Sequence, residues 1–239
     1  MNAVRLGRRP VPLVLLAFSA LVCALLVALT AGQHADAAPG HGGGHGDGHG
    51  HGQTFVPRTE AQAAFHDQMR KLWEDHVTWT RLAIVTFADG SASFDATAQR
   101  LLQNQTDIGD AIEPFYGAAA GDQLTTLLNG HIGIAVELLQ AAKASDTAAF
   151  DDANARWYDN ANQIADFLSA ANPRSWPDDV LRASMKTHLD QTLTEASDEL
   201  TGNYTGSVAV YEEIHAHILD MADLLSAGIM QQFPQRFGR

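Results

Sequence analysis

Six long segments of the chain repeat their apolar residues at the spacing of an α-helix, and this pattern constrains the fold most. In the third segment, Leu124, Leu128, His131 and Leu138 fall on one face. No segment sustains the apolar–polar alternation that would predict a β-strand. The periodicity therefore predicts an all-α six-helix bundle, with helices at roughly 60–88, 95–113, 120–143, 147–171, 178–201 and 206–232.

Capping and helix-breaking residues set the predicted ends of these helices. Thr59 followed by Gln62 predicts a capping box at the start of the first helix. Pro114 predicts the end of the second helix, because proline lacks the N–H that an α-helix needs. Gly202 predicts the C-terminal cap of the fifth helix.

Part of this pattern occurs twice along the chain. Two stretches of one helical hairpin recur in a second hairpin with matching spacing: Arg100–Asn104 as Arg156–Asn160, and Leu124–His131 as Leu181–His188. The second and third helices therefore predict a hairpin that is repeated as the fourth and fifth. The two outer helices match more loosely, with His76 paired with His217.

Residues 1–37 have the features of an export segment. Several arginines precede the uncharged apolar run Val11–Leu29, and Ala35 and Ala37 are the small residues that a signal peptidase requires. The run is nearly long enough to cross a bilayer, so the segment is predicted to be a signal peptide or an N-terminal membrane anchor. The protein is therefore predicted to be exported, either secreted or associated with the cell envelope. Any membrane contact would come through this segment if it stays uncleaved.

Residues 38–58 are rich in glycine and histidine and contain almost nothing apolar. Such a segment cannot bury enough surface to fold, so it predicts a disordered tail ahead of a helical domain at 59–239. Imidazole is a preferred ligand of Zn²⁺, Cu²⁺ and Ni²⁺. The tail histidines are therefore candidate metal ligands, the alternative being a solubilising linker: His41, His45, His49 and His51.

A second group of histidines falls on the apolar stripes of the predicted helices: His76, His131, His188 and His217. Asn104 and Asn160 take corresponding inward positions on two other helices. Buried polar groups must be satisfied by a partner. Two interpretations stay open, namely a metal site with asparagine amides holding the rings, or a hydrogen-bonded core network that fixes helix register. Cys23, the only cysteine, lies in the export segment, so no thiolate ligand is predicted in the bundle.

Charge and motifs argue against several other functions. The formal net charge of −13 disfavours binding to nucleic acid. The chain contains no His-Glu-x-x-His motif, no glycine-rich phosphate loop and no Gly-x-Ser-x-Gly motif. Of the paired Glu-x-x-His motifs of ferritin-like di-iron proteins, only one is present, from Glu212 to His215. The sequence therefore predicts no catalytic residue.

Several motifs resemble those of a family of exported bacterial helical proteins of unknown function. They are Leu72–Arg81 (LWEDHVTWTR), Gln99–Gln105 (QRLLQNQ), His131, Arg156–Ala161 (RWYDNA), His188, and the end of the chain from Met221 to Ile229. The resemblance covers about residues 70–235 and leaves the tail outside. It implies a helical fold and export. Some members carry enzyme names such as glycosyltransferase or acetylglutamate kinase, which these residues do not support.

The sequence as a whole favours a transition-metal-binding protein outside the cytoplasm. The tail would capture divalent ions, and the inward histidines would hold one, with Zn²⁺ or Cu²⁺ as the fitting metals. A non-catalytic structural or interaction bundle of the cell envelope, with a hydrogen-bonded His/Asn layer, is the alternative. A metal-dependent enzyme is a third interpretation and would need an open coordination position.

Overall fold

The structure, a computed structural model, describes residues 56–238. The predicted export segment, with Cys23, and the tail histidines His41, His45, His49 and His51 lie outside this range. Within it six α-helices follow one another, and no strand occurs between residues 56 and 238. They are α1 (Glu60–Ala88), α2 (Phe94–Tyr116), α3 (Ala118–Ala144), α4 (Thr147–Ala171), α5 (Asp178–Thr201) and α6 (Tyr204–Gln232), followed by a 3₁₀ turn at Pro234–Arg236. The predicted all-α six-helix bundle is confirmed.

The helices form a closed ring of three hairpins. Each helix packs against its neighbours in the chain, and α6 returns to pack against α1. Helices α1 and α5 also contact each other. The apolar stripes face the interior, where Trp73, Ile164, Leu189 and Ile218 are almost completely buried. None of the helices in the described range is long and apolar enough to cross a membrane.

Two helix ends lie at the capping residues that the sequence predicts. Thr59 Oγ1 accepts a hydrogen bond from the Gln62 backbone N–H, as predicted. The Gln62 side chain accepts from the Arg58 N–H and not from that of Thr59, so only half of a capping box forms. Gly202, with a left-handed φ of 80°, caps α5 as predicted.

The prediction that Pro114 ends the second helix is wrong, because α2 continues to Tyr116. The fixed φ of proline suits a helix, and its missing N–H leaves only the carbonyl of Asp110 without its partner. Asp110 is exposed, so water can satisfy that carbonyl. The helix ends three residues later at Gly117, whose φ of 87° turns the chain into α3.

Trp176 closes one end of the bundle. It lies between α4 and α5, is 1% exposed, and donates from its indole N–H to the Leu224 carbonyl. The ring lies directly over Gly228 of α6, where a Cβ would come within 2.1 Å of the indole nitrogen. Only glycine leaves room for this contact.

Candidate functional site

The three hairpins share one polar pattern. In each hairpin the first helix carries a buried histidine, and the second helix carries a polar side chain that donates to the carbonyl four residues before that histidine. The donors are Asn104 to Leu72 (3.0 Å), Asn160 to Leu127 (3.1 Å) and His217 to Ser184 (2.9 Å), before His76, His131 and His188 respectively. The bundle therefore repeats one hairpin three times around its axis.

This pattern extends the duplication that the sequence indicates to the outer helices. Helix α1 matches α3 and α5, and α6 matches α2 and α4. The looser pairing of His76 with His217 is wrong, because His217 makes the hydrogen bond that Asn104 and Asn160 make. His217 is half-buried and turns its Nε2 toward the α5 backbone, so it belongs to the outer shell of the site.

The rings of His76, His131 and His188 meet at the centre of the bundle. Each residue is 3% exposed. The His188 ring centroid lies 5.7 Å from that of His76 and 6.5 Å from that of His131. The inward direction predicted for all three is confirmed by their burial, and His188 is the neighbour of both other rings.

An asparagine fixes the orientation of the His131 ring. His131 Nδ1 lies 2.9 Å from Asn160 Oδ1. The Asn160 amide nitrogen donates to the Leu127 carbonyl, so its oxygen is the atom that faces the ring. Nδ1 must then carry the proton, which leaves the Nε2 lone pair free. The ring also stacks on Trp157, with centroids 5.1 Å apart.

Two amides hold the His76 ring in the equivalent place. The side-chain nitrogen of Gln105 donates to the Leu101 carbonyl and lies 3.3 Å from His76 Nδ1. Because an amide nitrogen can only donate, Nδ1 of His76 is the acceptor, and the proton of this neutral ring is on Nε2. Asn104 Oδ1 lies 3.3 Å from the same Gln105 nitrogen. Gln105 is completely buried, and the sequence analysis did not single it out because glutamine is usually exposed.

The third ring is held less completely. Nδ1 of His188 is buried and has no hydrogen-bond partner among residues 56–238. Its hairpin has His217 where the other two have asparagine, and Nε2 of His217 is engaged with Ser184. A buried nitrogen without a partner costs about 1–3 kcal/mol. The layer is therefore not satisfied by its own side chains.

Two small cavities flank the three rings, and His76, His131 and His188 line both. The larger, about 50 Å³, lies toward the carboxyl ends of α1, α3 and α5 and is otherwise apolar apart from Thr80 and Thr192. The smaller, about 10 Å³, lies on the opposite side of the rings. No carboxylate lines either cavity. The rings thus border space that can hold an ion or a few water molecules.

Burial keeps the three imidazoles neutral. Desolvation by burial, with a smaller contribution from His131, lowers the pKa of His76 to about 3. Burial lowers the pKa of His131 to about 4, against the opposing hydrogen bond from Asn160. Burial, and then the neighbouring histidines, lowers the pKa of His188 well below its usual range. Neutral imidazole is the form that binds metals, so protons do not compete at neutral pH.

The rings stand slightly too far apart to share an ion as they are. Among residues 56–238, no three His, Cys, Asp or Glu side chains form a group that could hold a metal. With metal–nitrogen bonds of about 2.0–2.1 Å, the centroids of three ligating imidazoles would be about 5–5.5 Å apart. The separation of 5.7 Å between His76 and His188 exceeds this by less than about 1 Å, and that of 6.5 Å between His131 and His188 exceeds it by about 1–1.5 Å. Sharing an ion would therefore require the rings to move toward one another into the adjoining cavities.

A second polar cluster lies further along α1 and α5. Arg81 donates to Glu195 Oε1 (2.5 Å) and to Ser207 Oγ (2.9 Å), and lies 3.5 Å from Glu199 Oε1. Ser207 Oγ also donates to Glu199. Burial, with a smaller contribution from Glu199, raises the pKa of Glu195 to about 7 against the opposing effect of Arg81. Periodicity does not reveal Arg81, Glu199 and Ser207 as members of a buried cluster, because charged and hydroxyl side chains are usually exposed.

Comparison of the chain with protein-family models, with curated proteins and with solved structures found no match.

Proposed function

We propose that this protein binds a transition metal ion, zinc or copper, between His76, His131 and His188 at the centre of its bundle. The observation that carries the proposal is that three neutral imidazoles from different hairpins line the same two cavities, which no carboxylate lines. His41, His45, His49 and His51 of the tail would capture ions outside the cytoplasm and raise their concentration near the bundle.

The hydrogen bonds around the rings support this assignment. In metalloproteins the outer nitrogen of a ligating histidine is commonly held by a carbonyl, carboxylate or water, and this fixes the tautomer. Here the Asn160 amide oxygen accepts from Nδ1 of His131 in this way, whereas the Gln105 amide nitrogen donates to Nδ1 of His76. No hydrogen bond to another residue of the described chain engages Nε2 of His76, His131 or His188. His131 therefore offers the Nε2 lone pair to a ligand as it stands, whereas His76 would have to move its proton from Nε2 to Nδ1, with the Gln105 amide turned to accept it.

A structural bundle is the second candidate, and one observation favours it. The rings of His76 and His131 already have amide partners, and the described side chains do not form a ready metal group. In that case the layer would set helix register, with water in the cavities satisfying His188. The protein would then be an interaction component of the cell envelope.

Elemental analysis of purified protein distinguishes the two functions. Metal binding by the tail is eliminated first, by replacing all four tail histidines with serine in the full chain. We expect about one equivalent of tightly bound metal to remain. Adding His188→Leu should abolish it, whereas His215→Gln, a partly exposed histidine paired with Glu74, serves as the matched control and should retain the ion. Loss of all bound metal when only the tail histidines are replaced would support the structural candidate.

Acidification separates the two kinds of site in the unmodified protein. Ions held by the tail histidines should be released on mild acidification between pH 7 and 5.5, because protons compete with metals for imidazole nitrogens. The bundle site should keep its ion over this range, because its imidazoles stay neutral to about pH 4. Release of all bound metal in one step near pH 6.5 would contradict a site inside the bundle.

A further inference from the structure

Two methionines share the smaller cavity with the three histidines. Met185 of α5 and Met221 of α6 line it together with His76, His131 and His188. Both methionines are almost completely buried. Ser184 Oγ lies 3.5 Å from the Met221 sulfur, which fixes that side chain without using both of its lone pairs. Thioether sulfur is a soft ligand, and its presence beside imidazole narrows the choice of metal.

The repeat shows that these methionines are departures from the pattern of the bundle. Three residues before the buried histidine, the first two hairpins have Trp73 and Leu128, and the third has Met185. Four residues after the polar donor, they have Ile108 and Ile164, and the third has Met221.

His217 is a third departure in the same hairpin, since it stands where the other two have asparagine. At all three positions the third hairpin has a side chain that can bind metal, and all three lie close to His188, whose Nδ1 has no partner in the described chain.

The lack of charged groups around the two cavities also bears on which metal ion fits. Neither cavity is lined by a carboxylate, and the imidazoles are neutral, so the bound ion would keep its full charge in an apolar interior. The cost of desolvating an ion grows with the square of its charge, so a divalent ion costs about four times as much as a monovalent one. Neutral nitrogen and sulfur donors in an apolar cavity therefore favour a soft, monovalent ion.

We infer that the bundle site selects Cu⁺, held by imidazole nitrogens of the histidine layer and by the thioethers of Met185 and Met221. The inference rests on the proposed function and names its metal. The tail has histidine but no methionine, so it lacks the thioether ligands that favour Cu⁺ in the bundle.

The test uses the full chain with its tail histidines replaced by serine. Cu⁺ is supplied anaerobically against a colorimetric Cu⁺ chelator, and Zn²⁺ and Cu²⁺ are titrated separately. We expect one equivalent of Cu⁺, and sulfur as well as nitrogen scatterers in its X-ray absorption spectrum. Met185→Leu and Met221→Leu should each weaken Cu⁺ binding at least about tenfold, the lower end of what even an outer partner contributes. Their Zn²⁺ affinity should not change.

Met69→Leu and Met230→Leu are the matched controls, because these methionines are equally buried but line neither cavity. Both should bind Cu⁺ like the parent protein. A Cu⁺ spectrum without sulfur, or tight binding of Zn²⁺ that exceeds that of Cu⁺, would overturn the inference and leave the proposed function standing. Failure of all three ions to bind would overturn both. The spectrum of the parent protein decides the matter even if a variant does not fold.

Discussion

Two polar clusters lie inside the same bundle, and they are built in opposite ways. The charged cluster of Arg81, Glu195, Glu199 and Ser207 is closed. The Arg81 guanidinium contacts both buried carboxylates, and the Ser207 hydroxyl accepts from Arg81 and donates to Glu199. The histidine layer of His76, His131 and His188 is neutral and open, with a ring nitrogen unpaired and cavities on both sides. Both clusters have members on α1 and α5, so the choice of helices does not explain why one cluster is closed and the other is open.

Whether its hydrogen-bonding partners are complete decides if a buried polar group belongs to structure or to ligand binding. Buried polar groups normally find partners, so a complete cluster needs no further explanation. An incomplete cluster next to a cavity retains an unmet cost unless something else binds there. The charged cluster is accordingly a structural tie between α1, α5 and α6, and the histidine layer is the candidate site.

Acidification should affect the two clusters in opposite directions and produces the largest expected effect. Below pH 6.5 the unfolded chain protonates all three histidines, but the folded chain does not, since burial lowers the pKa of His76 to about 3 and of His131 to about 4. Each histidine then removes about 1.4 kcal/mol of unfolding free energy per pH unit. Glu195 opposes this loss between about pH 7 and 4.5, because its pKa is raised in the fold.

The net effect of these four groups is a loss of about 5 kcal/mol between pH 6.5 and 4.5. Urea denaturation of the metal-free protein at several pH values measures it. Glu195→Gln should steepen the loss, because it removes the opposing group. An unfolding free energy that stays constant across this range would show that the histidines are not buried as neutral rings.

Removing the cation from the closed cluster should be the most damaging single substitution. Arg81→Met keeps much of the side-chain volume but leaves Glu195 and Glu199 buried without their positive partner. Breaking a buried pair in this way costs about 3–5 kcal/mol. Lys71→Met, which breaks the exposed pair with Asp75, should cost less than about 1 kcal/mol. Equal losses in denaturation experiments would mean that the Arg81 cluster is not a structural tie.

Removing the amide side chain that holds the His131 ring should lower both the stability of the fold and its affinity for metal. Asn160→Leu leaves the Leu127 carbonyl and the His131 Nδ1–H without partners, at a cost of about 1–3 kcal/mol. Metal affinity should fall about 10–100-fold, as it does when outer partners of ligating histidines are lost. Denaturation and a competition titration measure the two effects. A stability loss with unchanged metal affinity would assign Asn160 to helix register alone.

The smallest expected effect has the opposite sign. His188→Leu removes the ring whose Nδ1 is unpaired and replaces it with an apolar side chain of similar size. The metal-free variant should be as stable as the parent protein or up to about 1 kcal/mol more stable, while metal binding is lost. A destabilisation above about 2 kcal/mol would instead show that His188 belongs to a satisfied core network.

Helical periodicity predicted the helices and the inward histidines well, because both depend on which face of a helix is apolar. His76, His131 and His188 fall on those faces and are buried. Pro114 misled because a proline near a helix end costs little when the affected carbonyl is exposed.

Other features depend on how helices meet, which periodicity does not encode. The threefold register became visible only through the carbonyls that Asn104, Asn160 and His217 contact. Met185 and Met221 look like ordinary core residues until the cavity places them opposite the imidazoles.

The proposed site requires three imidazoles to share one ligand through their inner nitrogens. Long-range ¹H–¹⁵N NMR of the histidine rings tests it most directly, on protein labelled at histidine and carrying the tail substitutions. In the metal-free protein His131 should be protonated at Nδ1, and one equivalent of Cu⁺ or Zn²⁺ should shift Nε2 of His76, His131 and His188 together. Inner nitrogens that keep their metal-free shifts when each ion is added in excess would contradict the account.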